Sequence, residues 1–260
     1  MAGDWKYRIG LSLKGFPPAP VSPVQSSSYP TVLFNAMVKP WTAFPIKGVI
    51  WYQGEANVGR SEQYGDLFPA LITDWRRQWR SDFPFYFVQL ANFMESKKIQ
   101  PDSEWAALRE AQTKALKLDQ VGMAVTIDIG LADDIHPKNK QEVGRRLALV
   151  ALAGSYGKNV SSSAPVFQNY IIKGNKMELD FGQKQDGFQI KGTTLKGFTI
   201  AGPDRVFYPA EAMVHDGKII LSSTEVPAPL AARYGWADNP DCNLYGENGL
   251  PVAPFRTDCW

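Results

Sequence analysis

Cysteine and histidine are scarce in this chain: two of each occur in 260 residues, Cys242 and Cys259, His136 and His215. Two thiols near the C-terminus are too few for a disulfide framework and are not spaced as metal ligands; no metal and no other cofactor is expected. A bond between the two is neither required nor excluded. No run of 18 apolar residues occurs, and Met1-Ala-Gly-Asp-Trp-Lys6 has no apolar signal stretch, which predicts no membrane partner and no export signal. Blocks of basic residues are also missing. With 28 Lys and Arg against 26 Asp and Glu, the formal net charge is +2, and no row of cations is available to neutralise phosphates, so no nucleic-acid partner is expected. What remains is an ordinary globular composition, 44% hydrophobic and 21% charged. Disordered and fibrous classes are excluded, and the length suits one large domain or two modest ones.

Three stretches of different character follow one another. Residues 1–32 hold Pro17, Pro18, Pro20, Pro23 and Pro30 with Ser26-Ser27-Ser28, a composition that fixes φ and removes backbone donors, so the segment reads as irregular. Residues 33–158 alternate buried strands with amphipathic helices. Gly48 to Tyr52, Phe85 to Leu90 and Val121 to Ile129 are apolar runs of strand type. Ser61 is placed to cap a helix to about Arg80, ended by Pro84, and Ser103 another to about Leu118. A third runs from about Gln141 to Ala153, with Val143, Leu147 and Val150 inward and a stop at Gly154. The alternation implies a parallel sheet flanked by helices, although only three strands are visible.

From 159 to 260 the hydrophobic period falls to two. Strands around Gly174-Asn175 and around Asp216-Gly217 read as hairpins, with further short strands at 187–190 and 197–200. The prediction is a β-rich region closed by an irregular tail from Pro227 to Trp260.

Ligands of open α/β sheets gather at the carboxyl ends of the strands, which draws attention to two loops. After the first strand comes Gln53-Gly54-Glu55: an amide donor, a permissive glycine and a carboxylate. Its plainer reading is a loop that only caps the next helix. After the third strand comes Asp133-Asp134-Ile135-His136-Pro137. An imidazole whose one nitrogen is held by a carboxylate is free to take a proton at the other, and an Asp three residues earlier can fold back for that purpose. Here the plainer reading is an acidic turn with a solvated histidine. His215, beside the Asp216-Gly217 turn, reads as solvated.

The segments Leu33-Phe-Asn-Ala-Met37, Lys47-Gly-Val-Ile-Trp-Tyr-Gln-Gly-Glu-Ala-Asn57, Ile127-Asp-Ile-Gly130, Asp134-Ile-His-Pro-Lys-Asn-Lys-Gln-Glu-Val-Gly-Arg-Arg-Leu147 and Arg233-Tyr-Gly-Trp-Ala-Asp-Asn-Pro240 together resemble the sialate O-acetylesterase family. That family is part of the SGNH hydrolases. The resemblance implies an SGNH-type three-layer α/β sandwich and Ser-His-Asp hydrolysis of O-acetyl esters on sialic acid or related sugars. It implies His136 as general base and Asp133 or Asp134 as its orienting carboxylate. Gln53, next to Gly54, would face the acyl oxygen, and Glu55 would orient Gln53 or the substrate. Members are often secreted, periplasmic or lysosomal, which leaves the localisation of this chain open.

The family's nucleophile motif, Gly-Gln-Ser-Asn, does not occur, nor does its glycine-rich oxyanion segment. Ser12 and Ser155 lack the strand context the nucleophile needs. The expectation is therefore an incomplete parallel sheet in the C-terminal portion of an esterase. Alternatives are one part of a split enzyme, completed by a missing N-terminal polypeptide, or a non-catalytic carbohydrate-binding remnant. A weaker idea makes Glu55 and Asp133 a glycosidase pair. An incomplete sheet should also expose apolar surface at an edge, favouring self-association.

Overall fold

A computed structural model describes residue 15 and residues 29–182 and 187–260, so most of the segment read as irregular lies outside the described residues, as does Ser12. The chain divides into two units, residues 1–44 and residues 45–260. In the first, a π-helical turn at Phe34–Val38 runs into a 3-10 turn at Lys39–Trp41, where Pro40 occupies an early helical position that needs no N–H donor.

In the second unit, β1 (Val49–Trp51), β2 (Phe85–Val88) and β3 (Val121–Ala124) form a parallel sheet in the order β1-β2-β3. The central strand β2 is buried at all four residues, which is why its sequence is continuously apolar rather than alternating. Its side chains still alternate between two cores. Phe85 and Phe87 join Val49 and Trp51 against α1 (Ser61–Trp79) and α2 (Glu104–Thr113). Tyr86 and Val88 join Ala124, Val143, Leu147 and Val150 beneath α3 (Lys140–Gly154). Ile50 pairs with Tyr86 across the sheet and so shares the second face. It is 69% exposed, because α3 packs mainly on β2 and β3.

The helix ends differ in part from the expectation. Ser103 caps α2 by accepting from the Ala106 N–H, and Asn139 caps α3 by accepting from the Glu142 N–H, each satisfying an orphan donor of the first turn. Ser61 is already helical, and Arg60 holds the cap position without a side-chain bond. That helix stops well before Pro84: Arg80 turns left-handed at φ 53 and its N–H bonds the Arg76 and Arg77 carbonyls.

Beyond α3 come β4 (Asn169–Lys173), β5 (Lys176–Asp180), β6 (Phe188–Ile190), β7 (Phe198–Ala201), β8 (Phe207–Pro209), β9 (Glu211–His215), β10 (Lys218–Ser222), β11 (Ala231–Tyr234), β12 (Leu244–Gly246) and β13 (Phe255–Arg256). They form the sheets β4-β5-β10-β9 and β13-β11-β7-β8 and the pair β12-β6. Met177, Leu179, Ile219 and Leu221 of one sheet meet Phe198, Ile200, Ala232 and Tyr234 of the other in a common core. Each such fully buried large side chain contributes about 1.5–3 kcal/mol. Both hairpins form at the expected turns, and Asp216 and Gly217 take the paired positive φ values, 50 and 71, of a two-residue turn matched to strand twist.

The tail, expected to be irregular, supplies three strands, and β11 lies inside its sheet with β13 and β7 on either side. All four of its residues are buried, so no alternation marks it in the sequence. Flanking Pro and Gly residues made it look like loop. Cys242 and Cys259 are both free thiols.

Candidate active site

The loop after β1 is fixed from beneath. Gly54 is buried, and a Cβ there would lie 3.1 Å from Gln112 Nε2 and 3.3 Å from Leu90 Cδ2, so the chain passes α2 at a distance only glycine permits comfortably. The Gln112 amide donates to the Gln53 carbonyl at 3.3 Å, and the Tyr64 hydroxyl donates to Gln53 Oε1 at 3.2 Å. Gln53 Nε2 donates to Asn57 Oδ1 at 2.7 Å. The amide that the resemblance aims at an acyl oxygen is thus turned onto its own loop. Glu55 is half-buried. Burial, and after it the charge of Glu55, raises the Tyr52 hydroxyl above the ordinary tyrosine value. The ammonium of Lys140, at the start of α3, lies 4.6 Å from the Tyr52 ring centre and ties this loop to the helix that follows His136.

The His136 loop is anchored at both ends. At Gly130 the backbone is so close to Asn92 that a Cβ would fall 1.9 Å from the Asn92 carbonyl oxygen. The Gly130 N–H donates to Asn92 Oδ1 at 2.7 Å, Phe93 and Leu131 bridge in parallel, and the Met94 N–H donates to the Ala132 carbonyl. Downstream, Ile135 packs on the core beneath α1 and α2, Pro137 is buried, and Asn139 caps α3.

Between these anchors the His136 side chain is 88% exposed, with Nδ1 4.0 Å from Asp134 Oδ1, too far for a hydrogen bond. That same Asp134 oxygen accepts the His136 backbone N–H at 2.9 Å. Asp133 is exposed and has no side-chain partner among the described residues. The arrangement offers an accessible proton acceptor with two carboxylates on its own loop. Glu55 sits on the other loop, after β1. His215 is exposed at its turn, 3.5 Å from Asp216. Among the described residues no cluster of three His, Cys, Asp or Glu side chains could hold a metal.

Ser155 cannot reach His136. It follows the last residue of α3 and bonds the Tyr86 hydroxyl at 2.9 Å. At 1.5 Å per residue the 15-residue helix separates it from the His136 loop by roughly 22 Å.

Several supporting residues were not foreseen. Asn92 Nδ2 donates to Asn239 Oδ1 at 2.7 Å, and Asn239 Nδ2 donates to the Met94 carbonyl at 2.7 Å. Asp238 accepts from Ser103 Oγ at 2.6 Å and from the Gln100 amide. Arg109, 0% exposed, donates to the carbonyls of Leu90, Ala91, Ala237 and Asp238. Burial pulls its guanidinium down to about 9, which leaves it charged at neutral pH. Asp128 and Arg146 form a buried bidentate pair at 2.6 and 3.0 Å, and the Tyr245 hydroxyl donates to the same carboxylate. The segments singled out in the sequence therefore bond to one another: 127–130 to 134–147, and 233–240 to the strand-end loop that holds Gly130.

Residues 22–153, about half of the chain, match the profile of the family described as carbohydrate esterase, sialic acid-specific acetylesterase. The chain belongs to this family. Among curated relatives of this acetylesterase family, the sialate O-acetylesterases of Pongo abelii and Homo sapiens are 33% and 32% identical, each aligned over 96% of this chain and 54% of their own length. A crystal structure of a carbohydrate acetylesterase from Xanthomonas citri superposes with a TM-score of 0.85 at 46% identity, over 89% of this chain and 55% of that one. The chain thus spans about half the length of the acetylesterases it matches.

Proposed function

We propose that this chain supplies the histidine half of a carbohydrate O-acetylesterase site, in an SGNH-type sandwich whose remaining part carries the serine. The observation that carries the reading is the His136 loop: clamped at Gly130 and Asn139, it presents an exposed imidazole with carboxylates beside it, at the carboxyl end of a three-stranded parallel sheet. His136 is the general base. Asp133 is the orienting carboxylate, because it is free to swing onto Nδ1. Asp134 already accepts the His136 N–H and shapes the turn. Such a base needs a hydroxyl within about 3 Å, and Ser155 lies a helix length away.

The Gly-Gln-Ser-Asn motif does not occur in the sequence and no described serine is bonded to His136, so the nucleophile is proposed to come from a segment outside these 260 residues, covalently joined or separate. Among the described residues β1 pairs with β2 alone, and its other edge and the exposed Ile50 side chain are consistent with such a segment pairing there. The acyl oxygen would also meet its donors there, since the Gln53 amide is occupied by Asn57. The substrate class is an O-acetylated sugar, sialic acid first. Loss of any member of a Ser-His-Asp unit costs several powers of ten in rate, so the chain alone should release no acetate above background. Acetate release from an O-acetylated sialic acid tests this. Turnover by the chain with no second polypeptide present, abolished in His136→Ala, would show that the site is already complete.

A further inference from the structure

A cavity of about 470 Å3 opens between residues 96–101 and the strands β7, β8 and β11, with Trp236 and Asp241 on its rim. That volume suits one or two sugar units. Four cationic side chains line it, Lys97, Lys98, Lys196 and Arg233, against the single carboxylate of Asp241. Two of the four are already neutralised: Lys196 pairs with Asp241 at 2.8 Å, and Arg233 is held bidentately by Asp258 at 2.6 and 2.8 Å. Lys97 and Lys98 have no hydrogen-bond or ion-pair partner among the described residues. Trp236 is a fixed wall. Its indole N–H donates to the Pro101 carbonyl at 3.0 Å, and the guanidiniums of Arg233 and Arg256 lie 5.0 and 4.7 Å from its ring.

Both walls of the cavity continue into the supports of the His136 loop. Residues 96–101 follow Met94, whose N–H bonds the Ala132 carbonyl, and residues 236–241 include Asn239, which bonds Met94 and Asn92. A ligand lodged there is carried on the same scaffold as the imidazole.

We propose that this cavity is a subsite for the carboxylate of an acidic sugar, with Lys97 and Lys98 as the anion's partners and Trp236 as the rigid side. Only the placement of the sugar's ester at His136 rests on the esterase reading; the binding itself does not. The subsite makes the chain discriminate charged from neutral glycans, since two unpaired ammoniums gain little from a neutral ring.

The test is a titration of the whole chain by NMR with N-acetylneuraminic acid and with its methyl ester, the same sugar without the charge, following the Trp236 indole N–H. The acid should bind and shift that signal, more weakly as salt is raised, and the ester should bind roughly tenfold more weakly, the loss of one charge-assisted contact. Lys97→Gln with Lys98→Gln should bring the acid to the level of the ester and leave the ester unchanged. Equal binding of acid and ester, acid binding unaffected in the double variant, or inorganic phosphate binding as tightly as the sugar would overturn the proposal. Because no turnover is read, a failure here leaves the esterase assignment standing, and a failure to release acetate leaves the subsite standing.

Discussion

Replacing Arg109 by Met tests how the two halves of residues 45–260 are held together. The side chain is 0% exposed, and its guanidinium serves the carbonyls of Leu90 and Ala91 at the end of β2 and of Ala237 and Asp238 in the C-terminal region, at 2.7–3.0 Å. Methionine fills much of the volume and removes every donor. Each buried carbonyl left without a partner costs about 1–3 kcal/mol, and removal of a buried, hydrogen-bonded charge partner costs about 3–5 kcal/mol in all once the relieved desolvation of the cation is included. The expected destabilisation is therefore about 3–5 kcal/mol. At about 2–4 °C per kcal/mol for a domain of this size, the melting temperature should fall by roughly 6–20 °C. Urea unfolding followed by tryptophan fluorescence gives the free energy directly. Arg109→Lys should recover only part of it, because one ammonium cannot span four carbonyls. A loss below about 1 kcal/mol in Arg109→Met would refute the reasoning that this network, rather than apolar packing alone, joins the α/β layer to the β-rich region.

Other outcomes follow from single contacts. Gly130→Ala should displace the His136 loop, since the new methyl cannot sit 1.9 Å from the Asn92 carbonyl oxygen; loss of slow exchange at the residue 130 amide would show it, and an unchanged amide would refute it. Hydrogen bonds from Arg145, and with them Arg146, hold the Glu142 carboxyl down to about 2 from 4.5. The stability it adds is complete above about pH 4.5 and is lost as pH falls toward 2, so Glu142→Gln should flatten the melting curve's pH dependence in that window and nowhere above it. In the native chain one thiol should react with a maleimide. Cys259 is exposed, whereas burial pushes the Cys242 thiol up to about 12. With the serine-bearing segment supplied, Asp133→Asn should lower kcat far more than Asp134→Asn; the reverse order would assign the orienting role to Asp134.

The parts of the fold that were legible were those with an apolar run, a helical stripe or a turn signal. β1, β2 and β3 stand out as apolar runs between polar loops, α3 by its inward stripe, and the hairpins by Gly174-Asn175 and Asp216-Gly217. β11 was illegible because Ala231-Ala-Arg-Tyr234, though buried throughout like β2, is neither an apolar run nor alternating, and Pro227, Pro229 and Gly235 around it carry the marks of a loop. The end of α1 near Arg80 was placed to within a residue, but its cause was not: the stop is Arg80 itself, a non-glycine residue in a left-handed conformation that gives no compositional signal, and not Pro84. At the site, His136 and its acidic neighbours were visible as a local pattern. Asn92 and Asn239 were not, because the two amides are 147 positions apart and only the folded chain brings them together. The ion pair Asp128–Arg146 joins two of the quoted segments, 127–130 and 134–147, whereas Arg233 of the last segment is paired with Asp258 outside them.

The most direct test of the central claim is covalent labelling. An organophosphonate ester that traps activated serines should leave the intact mass of this chain unchanged, because the sequence holds no Gly-Gln-Ser-Asn motif and none of the described serines is bonded to His136. Stoichiometric labelling of one of its own serines, lost in His136→Ala, would contradict the claim that the nucleophile comes from elsewhere.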